Sequence, residues 1–204
     1  MRSDVPGAKL VELDPGDIPA VARLLGLAYR DNPLTIALLG DDSETRLRVG
    51  ERIHAIRIAA MEAPIVVRVG NEIVGVYGLE PPGSAPMSPE QQRQMLAALS
   101  DAGSGVLARA QEMLGRFAKY APTEGHWKLG PVAVAPHLHG SSIGSRMVEH
   151  FCARIDALGS LSCLDTDQVR NVRLYERYGF EVVAEAPVLG VPMWFMARRT
   201  MKGL

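Results

Sequence analysis

Residues 127–148 read WKLGPVAVAPHLHGSSIGSRMV, and this stretch decides the fold. Its mostly apolar first part predicts a buried strand over 127–135, and a helix is predicted over 142–158. The loop between them, residues 140–145, contains a single large side chain, that of Ile143. The first N–H groups of a helix have no intrahelical partner, and the helix dipole is positive there. We therefore expect this loop to bind an anion, in particular a phosphate.

Pro131 interrupts the predicted strand, because proline has no N–H to donate to a neighbouring strand. The strand prediction holds if the strand bulges or separates from its neighbour at this point. A separated strand leaves backbone groups of residues 132–134 open to an extended ligand that carries amides. The pantetheine arm of coenzyme A is such a ligand, and its pyrophosphate would reach the loop at 140–145. An ordinary strand–loop–helix connection has the same spacing.

The composition is that of a globular protein, with 204 residues of which 47% are hydrophobic and 22% charged. The length fits a single domain over 1–204, with a helical insertion at about 81–124 that is too short to bury a core of its own. The formal net charge of -1 indicates no nucleic-acid partner, which would require a basic surface.

The two cysteines, Cys152 and Cys163, stand among apolar residues. This setting favours buried free thiols and no metal site, although a single disulfide is also compatible with the sequence. No apolar run approaches the ~20 residues of a membrane span, and residues 1–7 lack the apolar segment of a signal peptide. We therefore expect a cytoplasmic protein without a membrane partner.

Apolar periodicity and turn residues predict further strands and helices around this stretch. Strands are predicted at 9–13, 65–69, 73–79, 161–166, 180–188 and 193–199, and helices at 43–61, 89–99, 106–120 and 171–178. An earlier helix, capped by Asp14 or Asp17, is expected to end at about Arg30, before Asn32-Pro33. Arg46 on the next helix is expected to face water. The strand–helix–strand unit over 127–166 requires a parallel pair, and the hairpins require antiparallel ones.

Two motifs resemble those of the GNAT superfamily of N-acetyltransferases. Residues 132–145, VAVAPHLHGSSIGS, are similar to its coenzyme A signature, in which Arg or Gln is followed by Gly and then by Gly or Ala. These positions are His139, Ser142 and Gly144 here. Residues 171–180, NVRLYERYGF, resemble the second motif of the family, Asn, Tyr-Glu-Lys/Arg and Gly-Phe.

Within that superfamily, the chain is most similar to the puromycin N-acetyltransferase-like branch, which shares a Trp-led fourth strand and a Trp near the last strand, here Trp194. The resemblance implies an α/β fold of GNAT type. Its sheet would be mixed and mostly antiparallel, with a central parallel strand pair splayed apart and helices on both faces. It also implies a monomer or homodimer that transfers acetyl from acetyl-CoA to a primary amine of a small molecule, by direct attack in a ternary complex.

The resemblance further implies which residues hold the cofactor. They are Val132, Ala133, Val134, His139, Gly140, Ser141, Ser142, Ile143, Gly144, Ser145 and Asn171, with the N–H of Val132 on the thioester carbonyl. Two positions depart from the family pattern. His139 replaces Arg or Gln, and Ser142 replaces a glycine and adds a Cβ where the backbone approaches the phosphates, although its hydroxyl can donate to a phosphate oxygen.

Tyr175 is the implied catalytic residue, as the general acid that protonates the leaving thiolate. A reference thiol has a pKa of about 8.5 and tyrosine one of about 10, so a tyrosine held at the sulfur can pass on its proton as the thiolate forms. The structural alternatives are a Tyr175 ring packed into the core and an Asn171 that serves as a helix N-cap.

The sequence singles out no general base and offers four weak candidates near strand ends: Glu80, Glu124, His126 and Asp165. Acceptor binding is assigned to Tyr29 and Asp31, at the end of the first helix, and to Glu80. Each of these is equally compatible with ordinary packing or a solvated loop.

A coenzyme A-binding regulatory domain without turnover is the alternative function. His139 and Ser142 motivate it, whereas Tyr175 and Asn171 argue against it. A phosphate-loop nucleotide hydrolase is disfavoured, because no Gly-Lys-Ser/Thr follows the loop.

Overall fold

A computed structural model of the protein describes residues 4–200. The strands are β1 (Lys9–Glu12), β2 (Ile65–Val69), β3 (Glu72–Glu80), β4 (His126–Val134), β5 (Leu161–Thr166), β6 (Glu181–Val188) and β7 (Val191–Arg198). The helices are α1 (Ile18–Tyr29), α2 (Pro33–Leu39), α3 (Ser43–Ala59), α4 (Pro89–Ser100), α5 (Val106–Tyr120), α6 (Ile143–Leu158) and α7 (Val169–Glu176).

The strands form one seven-stranded sheet in the order β1-β2-β3-β4-β5-β7-β6. β4 and β5 run parallel, and the other neighbouring pairs are antiparallel. Pairing between β4 and β5 covers only residues 126–128 and 161–163, and the two strands separate beyond that point. The predicted mixed, mostly antiparallel sheet with a splayed central parallel pair is therefore confirmed.

β4 bulges where proline was expected to disturb it. Gly130 and Pro131, joined by a cis peptide bond, both face the single residue Gly78 on β3. A Cβ on Gly78 would lie 2.7 Å from the carbonyl oxygen of Gly130 and 2.5 Å from the sulfur of Met61. Only a glycine at position 78 lets β3 and α3's C-terminal end approach the bulge this closely.

Helices cover both faces of the sheet. α6 packs on one face, where Met147 lies against Gly75 of β3. α5 packs on the opposite face, where the ring of Tyr120 stacks on Phe195 of β7 with centroids 4.7 Å apart. α1 and α3 pack against each other, and α1 also rests on β3 and β4. The helices α4 and α5 form the predicted excursion between two neighbouring strands, β3 and β4.

The segment after α1 contains a helix that the sequence did not predict. Asn32 is extended, with φ −70° and ψ 140°, as the residue before a proline should be, and α1 ends before it. Pro33 then occupies the first position of α2, where a missing N–H costs nothing. The same proline thus ends one helix and begins the next. Asp14 caps a short 3-10 turn (Pro15–Asp17) before α1 by accepting from the N–H of Gly16 (2.8 Å), whereas Asp17, the N-cap residue of α1, makes no side-chain cap.

Arg46 is 6% exposed, so the expectation that it faces water is wrong. Its guanidinium donates to the carbonyl oxygens of Arg30 (2.7 Å) and Gly40 (2.9 Å) and to the Asp31 carboxylate (3.0 Å). These bonds tie both ends of α2 to α3 and satisfy the buried charge.

Cys152 and Cys163 are buried free thiols. Burial raises the pKa of both thiols to about 11, so neither is a thiolate at neutral pH. Within residues 4–200, no helix combines the length and apolar character that a membrane crossing needs.

Candidate functional site

The separated half of β4 turns alternate backbone groups toward β5. The N–H of Ala135 donates to Val74 on β3 (2.8 Å), and groups facing one neighbour alternate along an antiparallel ladder. Ala133 therefore directs its peptide groups to β3, and its 5% exposed side chain lies in the core. The peptide groups of Val132 and Val134 face the gap between β4 and β5, which we call the slot. Of the residues 132–134 expected to bind cofactor, Ala133 is not presented to the slot.

The slot-facing groups of Val132 are bonded to a side chain. The Val132 N–H donates to the hydroxyl oxygen of Tyr29 (3.1 Å), and that hydroxyl donates to the Val132 carbonyl (3.2 Å). The sequence predicted an unpaired N–H here and placed Tyr29 only loosely, on the acceptor side. The structure brings the two together from positions 103 residues apart.

The carbonyl of Val134 is held in the same way. The ring of His139 donates from Nε2 to this oxygen at 3.0 Å, so the side chain folds back onto β4. His139 occupies the place of the family's Arg or Gln, but here it links the loop to the strand. Its ring occupies the carbonyl of Val134 that the sequence left open for a ligand.

Residues 140–142 form a short loop that leads directly into α6, and residues 143–145 are in the first turn of that helix. The small residues of this stretch predicted a loop at a helix N-terminus. Gly140 has φ +86°, a conformation that favours glycine, and Ser142 precedes the helix without capping it through its side chain. Ser141 accepts weakly from the N–H of Ile143, at 3.4 Å, and the Ile143 side chain is fully buried. A Cβ on Gly144 would lie 3.7 Å from Val134, so this turn passes close to β4.

Asp4 lies beside this loop, a contact that no pattern in the sequence indicated. The hydroxyl of Ser142 donates to the Asp4 carboxylate (3.0 Å) instead of standing free for a phosphate. The guanidinium of Arg146, in the first turn of α6, lies 3.9 Å from the same carboxylate and donates to the carbonyl of Ala8 (3.1 Å). Arg146 adds a positive charge to the candidate phosphate site, and its place near a helix start was the signal that could have identified it.

Tyr175 enters the slot region from α7, and its ring packs edge-on against Phe180, with centroids 6.0 Å apart. Burial raises its pKa well above the usual value, and the nearby Tyr29 and Asp165 raise it further. Tyr175 is therefore a neutral phenol at physiological pH. The core packing that the sequence offered as an alternative is therefore present, and the role of general acid stays a prediction.

Asn171 does not cap α7, because the helix begins two residues earlier and Gln168 is its N-cap residue. The Asn171 amide donates to the hydroxyl of Thr166 at the end of β5 (3.3 Å). Asp167, which sequence reasoning missed, accepts from the N–H of Leu34 in the first turn of α2 (3.0 Å). These two bonds fix α7 and α2 at the end of β5.

Four charged side chains form a cluster beside the slot, on the face of the sheet that α5 covers. Lys128 contacts Asp165 at 2.6 Å and lies 5.2 Å from the ring centroid of Phe117 on α5. Glu80, opposite Lys128 in the β3–β4 register, lies 3.7 Å from the Arg57 guanidinium of α3. Burial opposes the charge on Lys128, but the Asp165 carboxylate outweighs it and raises the pKa of the ammonium.

Among the proposed bases, Glu80 and Asp165 thus each face a cation. Glu124 forms an ion pair with Arg199 (2.5 Å), away from the slot, and the half-buried ring of His126 bonds to the carbonyl of Glu124 (2.8 Å). Asp165 alone of these four acts electrostatically on both Tyr29 and Tyr175.

Asp31 does not offer a free carboxylate to an acceptor. It forms ion pairs with Arg30 (2.8 Å) and Arg46 (3.0 Å). The hydrogen bonds from Arg30 and Arg46 lower the pKa of Asp31, so its carboxylate is ionised and its negative charge is balanced by these two arginines. Its assignment to substrate binding is not supported by this geometry.

His54 of α3 is a site residue that the sequence did not indicate. Its ring is 7% exposed and lies 5.2 Å from the ring of Tyr29, centroid to centroid. Within residues 4–200, its Nδ1 is buried without a hydrogen-bond partner. Burial lowers its pKa to about 3, with a smaller contribution from Arg57, so the ring is neutral. Nothing local distinguishes it, because its setting depends on how α3 packs on α1.

Comparisons with known proteins agree with this geometry. A family model described as an acetyltransferase (GNAT) domain matches residues 62–182, more than half of the chain. A structure of histone acetyltransferase HPA2 and related acetyltransferase from Corynebacterium glutamicum aligns with a TM-score of 0.72 and 20% identity, over 97% of this chain and 99% of that one.

Two further structures share the fold. Drosophila melanogaster polyamine N-acetyltransferase, an enzyme that forms N-acetylagmatine, aligns with a TM-score of 0.63 and 14% identity over 94% of this chain and 99% of that one. A GNAT family acetyltransferase from Brucella melitensis in complex with acetyl-CoA aligns with a TM-score of 0.53 and 17% identity, over 97% of this chain and 90% of that one. Sheet topology, splayed strands and family model lead to one conclusion: this chain belongs to the GNAT acetyltransferase family.

Proposed function

We propose that the protein is an N-acetyltransferase that transfers acetyl from acetyl-CoA to a primary amine of a small molecule, by direct attack in a ternary complex. The observation that carries the proposal is the slot. The peptide groups of Val132 and Val134 border it on β4, and Tyr175 of α7 lies near enough to Tyr29 and Asp165 for both to act on it electrostatically. The N-terminus of α6 begins a few residues beyond that strand.

The residues around α6 suit the phosphates of coenzyme A in part. The helix N-terminus, the small residues Gly140 and Gly144, and the guanidinium of Arg146 favour an anion. The carboxylate of Asp4 opposes one. We assign phosphate binding to the backbone of residues 140–145, and pantetheine binding to Val132 and Val134, as the family resemblance implied.

In the proposed reaction the amine nitrogen bonds to the acetyl carbon, the carbon–sulfur bond breaks, and the amine loses a proton. The Val132 N–H would polarise the carbonyl. Tyr175 holds its proton at neutral pH, and its raised pKa disfavours complete transfer to a thiolate of reference pKa about 8.5. We therefore assign it the role of a hydrogen-bond donor that stabilises the sulfur as charge develops on it.

For the base, Asp165 is the best placed of the four candidates, because it acts on both tyrosines. Its ion pair with Lys128 makes it a weaker proton acceptor than a free carboxylate.

The acceptor is proposed only as a class. The puromycin N-acetyltransferase-like resemblance favours an antibiotic-like amine, and the Drosophila relative acts on polyamines. We further propose a cytoplasmic protein, monomeric or homodimeric, without a nucleic-acid partner, in keeping with its formal net charge of -1.

The decisive experiment is an amine-panel assay with thiol detection, run beside calorimetry with acetyl-CoA. We expect binding, together with thiol release that depends on at least one amine. Tight binding without thiol release across the panel would instead favour a regulatory coenzyme A-binding domain. No binding and no release would contradict both functions.

A further inference from the structure

We propose that Tyr29 is a gate on the acetyl site: its hydroxyl competes with the thioester carbonyl for the N–H of Val132. Binding of acetyl-CoA would then release this hydroxyl to the acceptor. The inference rests on the proposed function, since it concerns the same slot.

The competition follows from the hydrogen bonds. The Val132 N–H has one proton, and Tyr29 accepts it at 3.1 Å. The same hydroxyl donates to the Val132 carbonyl at 3.2 Å, which closes both slot-facing groups of this residue. β3 offers no replacement donor, because the ladder alternation turns these groups away from it. A thioester carbonyl therefore reaches the N–H only if the hydroxyl moves.

The hydroxyl can move without disturbing the fold, because Tyr29 is the last residue of α1. The segment after it is fixed independently, through the bonds of Arg46 to Arg30 and Asp31. The ring of Tyr29 rests on His54, a neutral neighbour with no hydrogen bond to the hydroxyl. The proposed gate would open by rotation of the Tyr29 side chain.

The released hydroxyl stays on the acceptor side of the slot. Arg57 and Asp165, both in the charged cluster beside the slot, act electrostatically on Tyr29. Burial raises the pKa of Tyr29, so it remains a neutral phenol that can donate to or accept from an amine. The hydroxyl thus becomes available to the amine once the donor has bound.

The test is Tyr29→Phe, with acetyl-CoA affinity measured by calorimetry and amine KM by thiol release. Removing a competing hydrogen bond should tighten acetyl-CoA binding by about 3- to 10-fold. The amine KM should rise severalfold while kcat changes less. Tyr120→Phe is the matched control. Tyr120 lies on α5 and packs on Phe195 of β7, so this substitution should alter neither the acetyl-CoA affinity nor the amine KM.

Acetyl-CoA affinity that is unchanged or weaker in Tyr29→Phe, with a wild-type urea midpoint, would overturn the gate. A tightened affinity with an unchanged amine KM would overturn the acceptor role of the hydroxyl. If the wild type binds no acetyl-CoA, the proposed function itself fails.

Discussion

The two halves of β4 differ in what holds their backbone. At its start, residues 126–128 pair with β5, and Lys128 adds an ion pair across the same two strands. At its end, Tyr29 and His139 bond to the groups that face away from β3. A ladder between strands can be exchanged only by unfolding the sheet, whereas a side-chain bond can be exchanged for a ligand. We call residues 126–128 the permanent half of β4, because they pair with β5, and residues 132–134 the replaceable half, because side chains bond to their backbone.

The largest effect is expected from Tyr175 of α7, which is proposed to act on the sulfur beside the replaceable half of β4. Tyr175→Phe removes the donating hydroxyl but keeps the ring on Phe180, so kcat should fall by about 100-fold or more. Acetyl-CoA affinity should change little. Turnover by thiol release and affinity by calorimetry check this, with Tyr120→Phe as the control. Unchanged turnover would remove Tyr175 from the chemistry.

His54→Phe tests the support behind Tyr29. The pKa of His54 is lowered to about 3 from 6.5, so the unfolded chain binds more protons between these values. The stability of the wild type therefore falls as pH drops through this window, and it is unaffected above it. Between pH 7 and pH 4, the free energy of unfolding should therefore fall by about 2–3 kcal/mol less in the variant than in the wild type. Urea unfolding at both pH values measures this, and equal losses would contradict it.

Lys128→Met probes the permanent half. It leaves Asp165, 22% exposed in its side chain, without its cation. The free energy of unfolding should fall by about 1–2 kcal/mol, below the full cost of a buried broken pair because water reaches the site. Arg93→Met, which removes the exposed Arg93–Glu90 pair on α4, is the control and should cost about 0.5 kcal/mol or less. Similar losses in both variants would show that the pair beside the slot carries no special weight.

The smallest effect concerns the phosphate end of the replaceable half. Asp4→Asn removes a carboxylate beside Ser142 and Arg146 and should tighten acetyl-CoA binding by about 2- to 3-fold. The gain should disappear at high salt, since Asp4 is exposed. Calorimetry at two salt concentrations tests it, and weaker binding would mean that Asp4 orders the loop.

Local sequence was sufficient for much of the fold. Pro131 in an apolar strand predicted the bulge, and small residues before α6 predicted the loop at its N-terminus. These features depend on neighbours along the chain, where turn and strand preferences act. Pro33 misled because the same residue both ends a helix and begins one.

The contents of the slot were not predictable in this way. Tyr29 meets Val132 across 103 residues, and Asp4 meets Ser142 across 138. Arg46 and His54 are polar residues on the buried side of α3, where a pattern based on hydrophobicity places only apolar ones. Such contacts follow from how helices pack on the sheet, and single-sequence periodicity carries no information about that.

Gly78 sets a limit for anyone who wishes to redesign this protein. A side chain there would collide with the Gly130 carbonyl across the bulge and with Met61 behind it. A mutational library aimed at new acceptors should therefore leave position 78 constant. Variants at that position would lose activity by displacing β4, however well their new pocket suited an acceptor.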